Sequence, residues 1–132
     1  MILKIQPDFQ KSKALFEMAK ITLQRLNETE IYKYPTNTLN DYYDVLHKLM
    51  ESLTLKEGIK IRGEGAHQEL IDYICKKYKF TESDHIFIQE MRDFRNRISY
   101  EGFIVNENYI SVNLEKINRI IKTLYMIINT KN

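Results

Sequence analysis

Apolar side chains return every three or four positions along almost the whole of this chain, the spacing of one face of an α-helix. Phe9, Phe16, Ala19, Leu23 and Leu26 form a first stripe, which follows Pro7, has Asp8 as a candidate N-cap and ends near Asn27. The segment from Glu28 to Pro35 reads as a connection, because a proline disfavours a helical residue before it. A second helix is predicted from Asn37 or Thr38 to about Gly58, with Leu39, Tyr42, Leu46, Leu49 and Leu53 inward. Thr38 and Asp41 there have capping-box spacing. The turn Arg62-Gly63-Glu64-Gly65 leads into a short third helix, roughly Ala66 to Tyr78, with Leu70 and Ile74 inward. Thr81 and Asp84 repeat the capping signature before a fourth helix carrying Phe87, Met91, Phe94 and Ile98, which Gly102 breaks. Phe103 to Ile110 reads as an extended crossing or a small hairpin through Asn106-Glu107-Asn108. The last helix is expected from about Asn113, with Leu114, Ile117, Ile121, Leu124 and Ile128 facing the core and Ile120 and Ile127 broadening that face.

No one of these stripes can be buried alone, so the pattern predicts an all-α, antiparallel four- or five-helix up-and-down bundle, one domain over residues 1–132. Composition agrees: 43% hydrophobic and 29% charged residues with only two prolines and four glycines favour long helices over a many-turned β-fold. A net charge of +2 is too balanced for coating nucleic acid by bulk charge, although a local basic patch remains open. Cys75 is the one cysteine, so no intrachain disulfide can form, and no Cys/His cluster has zinc spacing. No metal and no cofactor are expected. Cys75 itself reads as a buried small hydrophobe. The N-terminus carries Lys4 and lacks a long apolar stretch, and no apolar run approaches a membrane span. A reduced, cytoplasmic setting and no membrane partner are the expectation.

The chemistry concentrates in Arg92-Asp93-Phe94-Arg95-Asn96-Arg97-Ile98-Ser99-Tyr100. With the stripe from Phe87 to Ile98 pointing inward, Arg95 falls at the border of the core. Arg92, Asn96 and Ser99 lie further round, and Asp93 and Tyr100 beyond them. Guanidinium groups offer a rigid fork of donors and never lose their charge, which suits phosphate. Asn96 can orient a neighbour by donating and accepting at once. Spacing alone fits equally a solvated helix face on which Asp93 and Arg97 form an i,i+4 pair.

The Arg95-Asn96 pair near the end of a fourth helix resembles the signature of the HEPN (higher eukaryotes and prokaryotes nucleotide-binding) superfamily, an Arg, often followed by Asn, then four to six residues, then His. The stretch Asp41-Tyr42-Tyr43-Asp44-Val45-Leu46-His47-Lys48-Leu49, followed by Lys56-Glu57-Gly58-Ile59, is similar to the family's second helix and the turn after it. The resemblance covers about Phe9 to Ile128. It implies a bundle of four or five helices, often a homodimer in which two motif helices meet across the interface. Many members cleave RNA without a metal, often as toxins, with a small nucleotidyltransferase as antitoxin partner. Others bind nucleotides or proteins without catalysis. The chain departs from the motif where the family has His: four residues intervene after Arg95 and Tyr100 follows, with Glu101 and Gly102 next.

RNA cleavage without a metal needs a group to take the 2′-OH proton, one to protonate the leaving 5′ oxygen, and positive charge on the pentavalent transition state. Histidine serves because its pKa lies near the operating pH; tyrosine, near 10, is a poor base at pH 7 but can donate a hydrogen bond or act as an acid. His67, at the start of the third helix behind a Gly-rich turn, is the best substitute acid or base, and reads otherwise as a surface residue of a first helical turn. His47 reads as a packed or hydrogen-bonded structural residue, and His85 as exposed. The candidate catalytic set is therefore Arg95, Asn96, Tyr100 and His67, and the candidate substrate contacts are Arg92, Ser99 and Arg62, with RNA or a nucleotide as ligand. Tyr32 and Tyr34 flank Lys33 and could stack bases, though tyrosine is also ordinary core material. Lys60, Gly63 and Gly65 make no P-loop, since the Gly-Lys-Ser/Thr ending is missing.

Overall fold

The computed structural model describes residues 1–130. Five helices, α1 (Phe9–Asn27), α2 (Pro35–Lys56), α3 (Ala66–Lys77), α4 (Glu82–Glu101) and α5 (Glu107–Thr130), carry most of the chain. Two short strands, β1 (Ile2–Lys4) and β2 (Ile59–Ile61), pair antiparallel with Ile2 opposite Ile61 and Lys4 opposite Ile59. The molecule is thus mostly helical, with a small ribbon that the helical periodicity does not announce.

α2 is the central helix. Leu39, Leu46, Leu49, Met50 and Leu53 are all completely buried, so truncating one, as in Leu46→Ala, costs about 2–5 kcal/mol. α1 lies antiparallel along it, pinned at one end by reciprocal Ser12–Ser52 hydrogen bonds and at the other by Arg25–Asp41 at 2.9 Å. α5 runs in the same direction as α2: Val105, just before α5, donates to Thr36 near the start of α2, and Lys56 at the end of α2 reaches the Ile128 carbonyl. α4 returns antiparallel to α5, clamped by a two-pronged Arg119–Asp84 pair at 2.8 Å on each prong and by Tyr109 Oη donating to Glu90 at 2.7 Å. α3 packs antiparallel to α4 through His85–Asp72 and Gln89–Gln68.

Local sequence accounts for most of the boundaries. Asp8 accepts from Lys11 N and Thr81 from Asp84 N, as N-caps do. Gly102 ends α4 in the left-handed region, where its N–H caps the Arg97 carbonyl. At Gly58 the backbone has φ +79°, and a side chain would push a Cβ to 2.7 Å from the Ile5 carbonyl oxygen. Only glycine lets the β1 strand pass that close to the end of α2.

Several boundaries differ from the periodic reading. α2 starts at Pro35, which suits the first helical position because its missing N–H is not needed there. Thr38 therefore sits inside the helix, and its hydroxyl turns back to the Ile31 and Tyr34 carbonyls instead of capping. Asn106-Glu107-Asn108 is not a hairpin. Asn106 accepts from Asn108 N and α5 begins at Glu107, six residues before Asn113. Phe9 is 64% exposed, although it keeps the apolar spacing of α1. Arg97 pairs with Glu101 at 3.2 Å, not with Asp93, and its guanidinium lies 4.2 Å from the centre of the Phe103 ring.

Candidate functional site

Along α2, Asn40, Tyr43, Asp44, His47 and Glu51 recur at helical spacing and share one face. That face meets α3 and α4. Gly65, in the left-handed conformation, is the N-cap of α3, with Ala66 N bonded to the Gly63 carbonyl. This tight turn sets His67 in the first turn of α3, over α2. The His67 ring stacks on His47 with centroids 3.9 Å apart and an 18° tilt, and its Nδ1 is 3.2 Å from the Tyr43 hydroxyl. Three rings from two helices form one cluster, with Tyr43 buried and both imidazoles half-buried.

α4 supplies the charge. Arg92 and Arg95 stand three residues apart on its inward border, both half-buried. Arg92 donates from Nε to Gln89 at 2.7 Å; among the described residues its terminal nitrogens make no hydrogen bond, and Arg95 makes neither hydrogen bond nor ion pair. Their influence shows in the groups that they face. Burial, then the Arg95 charge, lowers the His67 pKa; Glu51 opposes them, and Arg92 adds the smallest push, again downward. Burial, then His67, pulls His47 down to about 4. Burial pushes Tyr43 up to about 12 against the two guanidiniums. Near neutral pH both imidazoles are uncharged and the phenol keeps its proton.

This arrangement has defined proton chemistry. A neutral His67 with its proton on Nδ1 donates to the Tyr43 oxygen and leaves Nε2 as a free acceptor. With the proton on Nε2, the phenol donates to Nδ1 and the imidazole presents a donor instead. A cavity of about 130 Å³ adjoins the ring cluster, walled by residues of α2, β2 and α3 that include Glu51 and Thr54. The side-chain oxygen of Asn40, one turn before Tyr43, is buried with no hydrogen-bond partner among the described residues.

The structure brings Arg92 and Arg95 of α4 within electrostatic reach of His67 of α3, although the arginines lie 25 and 28 positions further along the chain. Asn96 follows Arg95, half-buried and without a hydrogen bond among the described residues. Tyr100, Ser99 and Arg62 stand outside the cluster: Tyr100 is 87% exposed near the end of α4, Ser99 is exposed, and Arg62 is exposed just after β2. Tyr43 is a member that the motif reading passed over. Its only signal is the i,i+4 relation to His47 on the polar edge of α2. His47 is packed, as its position beside the stripe suggests, but what it packs on is His67.

Cys75 is buried, and its thiol is pushed up to about 12 by the burial and by Asp72 and Asp84, which leaves it protonated and unreactive. Among the described residues no group of three or more His, Cys, Asp or Glu side chains is placed to hold a metal ion. No helix among them is long and apolar enough to cross a membrane. Comparison with protein-family models, with curated proteins and with solved structures gives no match for this chain.

Proposed function

We propose that this chain is a HEPN-like protein acting on RNA, a metal-independent endoribonuclease of toxin–antitoxin type that works as a homodimer. The observation that carries the reading is the convergence of Arg92 and Arg95 on the His67–His47–Tyr43 cluster. Permanent guanidinium charge meets an imidazole held neutral at physiological pH, the pairing that cleavage through the 2′-OH requires. Arg95 and Arg92 bind the scissile phosphate, and Asn96 orients it. His67 Nε2 takes the 2′-OH proton as the 2′ oxygen bonds to phosphorus. The phosphorus–O5′ bond breaks, and the departing oxygen takes a proton from Tyr100 or from solvent. A 2′,3′-cyclic phosphate and a 5′-OH result. Relocation of the acid/base function to His67 compensates for Tyr100 at the family's His position. A nucleotidyltransferase-type antitoxin is the partner that the resemblance implies.

A second reading is favoured by the near-complete exposure of Tyr100. In it the same strip binds RNA, a nucleotide or a protein partner without cleaving anything. One experiment separates the two. Purified protein is incubated with RNA in excess EDTA, the ends are mapped, and melting is followed with and without RNA. Cleavage with cyclic phosphate ends supports the enzyme. A rise in Tm without cleavage supports the binding module. Neither effect at high RNA excess rejects both.

A further inference from the structure

The cavity beside the imidazole pair is small, about 130 Å³, against several hundred for a pocket that takes a whole drug-sized ligand. It is nevertheless far larger than one water needs. Its walls differ in kind. Ile61 of β2 and Ala66 and Leu70 of α3 are apolar, His47 and His67 offer ring surface, and Glu51 of α2 contributes a carboxylate. That carboxylate makes no hydrogen bond and no ion pair among the described residues, unlike Asp44, Glu57 and Asp84, each of which is engaged by a cation. A small cavity lined by apolar side chains and imidazole rings, with an acceptor that has no hydrogen-bond or ion-pair partner among the described residues, suits an unstacked nucleobase read along its Watson–Crick edge.

The carboxylate selects among bases by elementary chemistry. It accepts hydrogen bonds only, and two parallel bonds to its two oxygens are much stronger than one. Guanine is the common base with two adjacent donors on that edge, N1–H and the N2 amino group. Adenine and cytosine present one amino donor beside an acceptor, and uracil one imino donor between two acceptors. An acceptor beside a carboxylate is repelled, so the mismatch is penalised as well as unrewarded.

We infer that this cavity is a guanine-recognising pocket, in which Glu51 accepts from N1–H and the N2 amino group while the nucleotide's 3′-phosphate lies against Arg92 and Arg95. The inference rests on the proposed RNA-directed reading and adds its substrate class, RNA cleaved on the 3′ side of guanosine. His67 borders both the cavity and the guanidiniums, which places it at the sugar between base and phosphate.

The test is calorimetric titration of the intact chain with guanosine, adenosine, cytidine and uridine 3′-monophosphates. The guanosine nucleotide is expected to bind on the order of tenfold tighter or more, the scale of a charged hydrogen bond. Glu51→Gln should erase that preference while leaving the weaker, base-independent binding that Arg95→Ala removes. Ala66→Met, which narrows the cavity without touching Glu51, should erase it too; unchanged melting in both variants excludes misfolding. Equal binding of all four nucleotides, still dependent on Arg95, overturns the guanine pocket and leaves the phosphate site standing. A guanine preference that survives both variants overturns the assignment to this cavity. No binding of any nucleotide, with no RNA cleavage, overturns the pocket and the RNA-directed reading together.

Discussion

Arg119 and Arg95 carry the same charge in opposite circumstances. Arg119, on α5, is more than half exposed, yet it closes both prongs on Asp84, whose side chain is only 8% exposed. Arg95, on α4, is half-buried and makes no such pair among the described residues; its charge acts instead on the His67 imidazole. The first guanidinium neutralises a carboxylate and ties two helices together. The second keeps its donors unspent, in a place where its field acts on a titratable ring. Charge that is satisfied internally holds a bundle, and charge left unsatisfied next to proton chemistry is what a phosphate-handling site needs.

The contrast breaks most sharply on activity. Under the enzyme reading, Arg95→Ala should lower RNA cleavage by at least about 10²-fold, the scale of losing one electrostatic contact to a transition state, with melting unchanged. Arg119→Ala should leave cleavage intact. A competent Arg95→Ala enzyme in the EDTA assay would remove Arg95 from the site.

Acid titration comes next in size. His47 is held at about 4 against an ordinary 6.5, so between those values the unfolded chain binds a proton that the folded chain resists. Stability is complete above pH 6.5 and falls as pH drops toward 4, by up to about 3 kcal/mol, with His67 acting in the same direction. Tm measured at pH 7 and 4.5 should differ markedly less in His47→Gln. An equal slope in that variant would show that the ring stack does not exclude protons.

Arg119→Ala leaves a buried carboxylate without its partner and should destabilise by about 1–3 kcal/mol at pH 7 by denaturant unfolding. Because the Arg119 hydrogen bonds hold the Asp84 pKa below its usual 3.8, this contribution is complete above about pH 4 and fades as pH falls through the depressed value. The loss in Arg119→Ala should therefore shrink in strong acid, below the window set by His47. The smallest effect belongs to the exposed Arg97–Glu101 pair on the outer face of α4. Glu101→Gln should shift stability by no more than about 0.5 kcal/mol, and less at high salt. A larger loss would mean that surface pairing contributes more to α4 than its exposure allows.

What the chain announces by itself is what repeats or what is chemically local. Five helices follow from apolar periodicity, because a stripe that must be buried recurs with the helical turn. The caps at Asp8 and Thr81 and the stop at Gly102 were legible because each acts within a few residues. Arg95 at the core border was legible because α4 is one uninterrupted helix from Glu82 to Glu101. Tertiary structure decided the rest. Three-residue strands carry too little pattern to be heard, and the ribbon exists because Gly58 lets β1 pass against the end of α2. Phe9 keeps its spacing but stays 64% exposed. Twenty residues separate His47 from His67, and their stack arises only when the Gly63–Gly65 turn folds α3 over α2. Side-chain spacing along a helix specifies which direction a residue points, whereas the identity of what it meets there is a property of another segment, and only packing brings the two together.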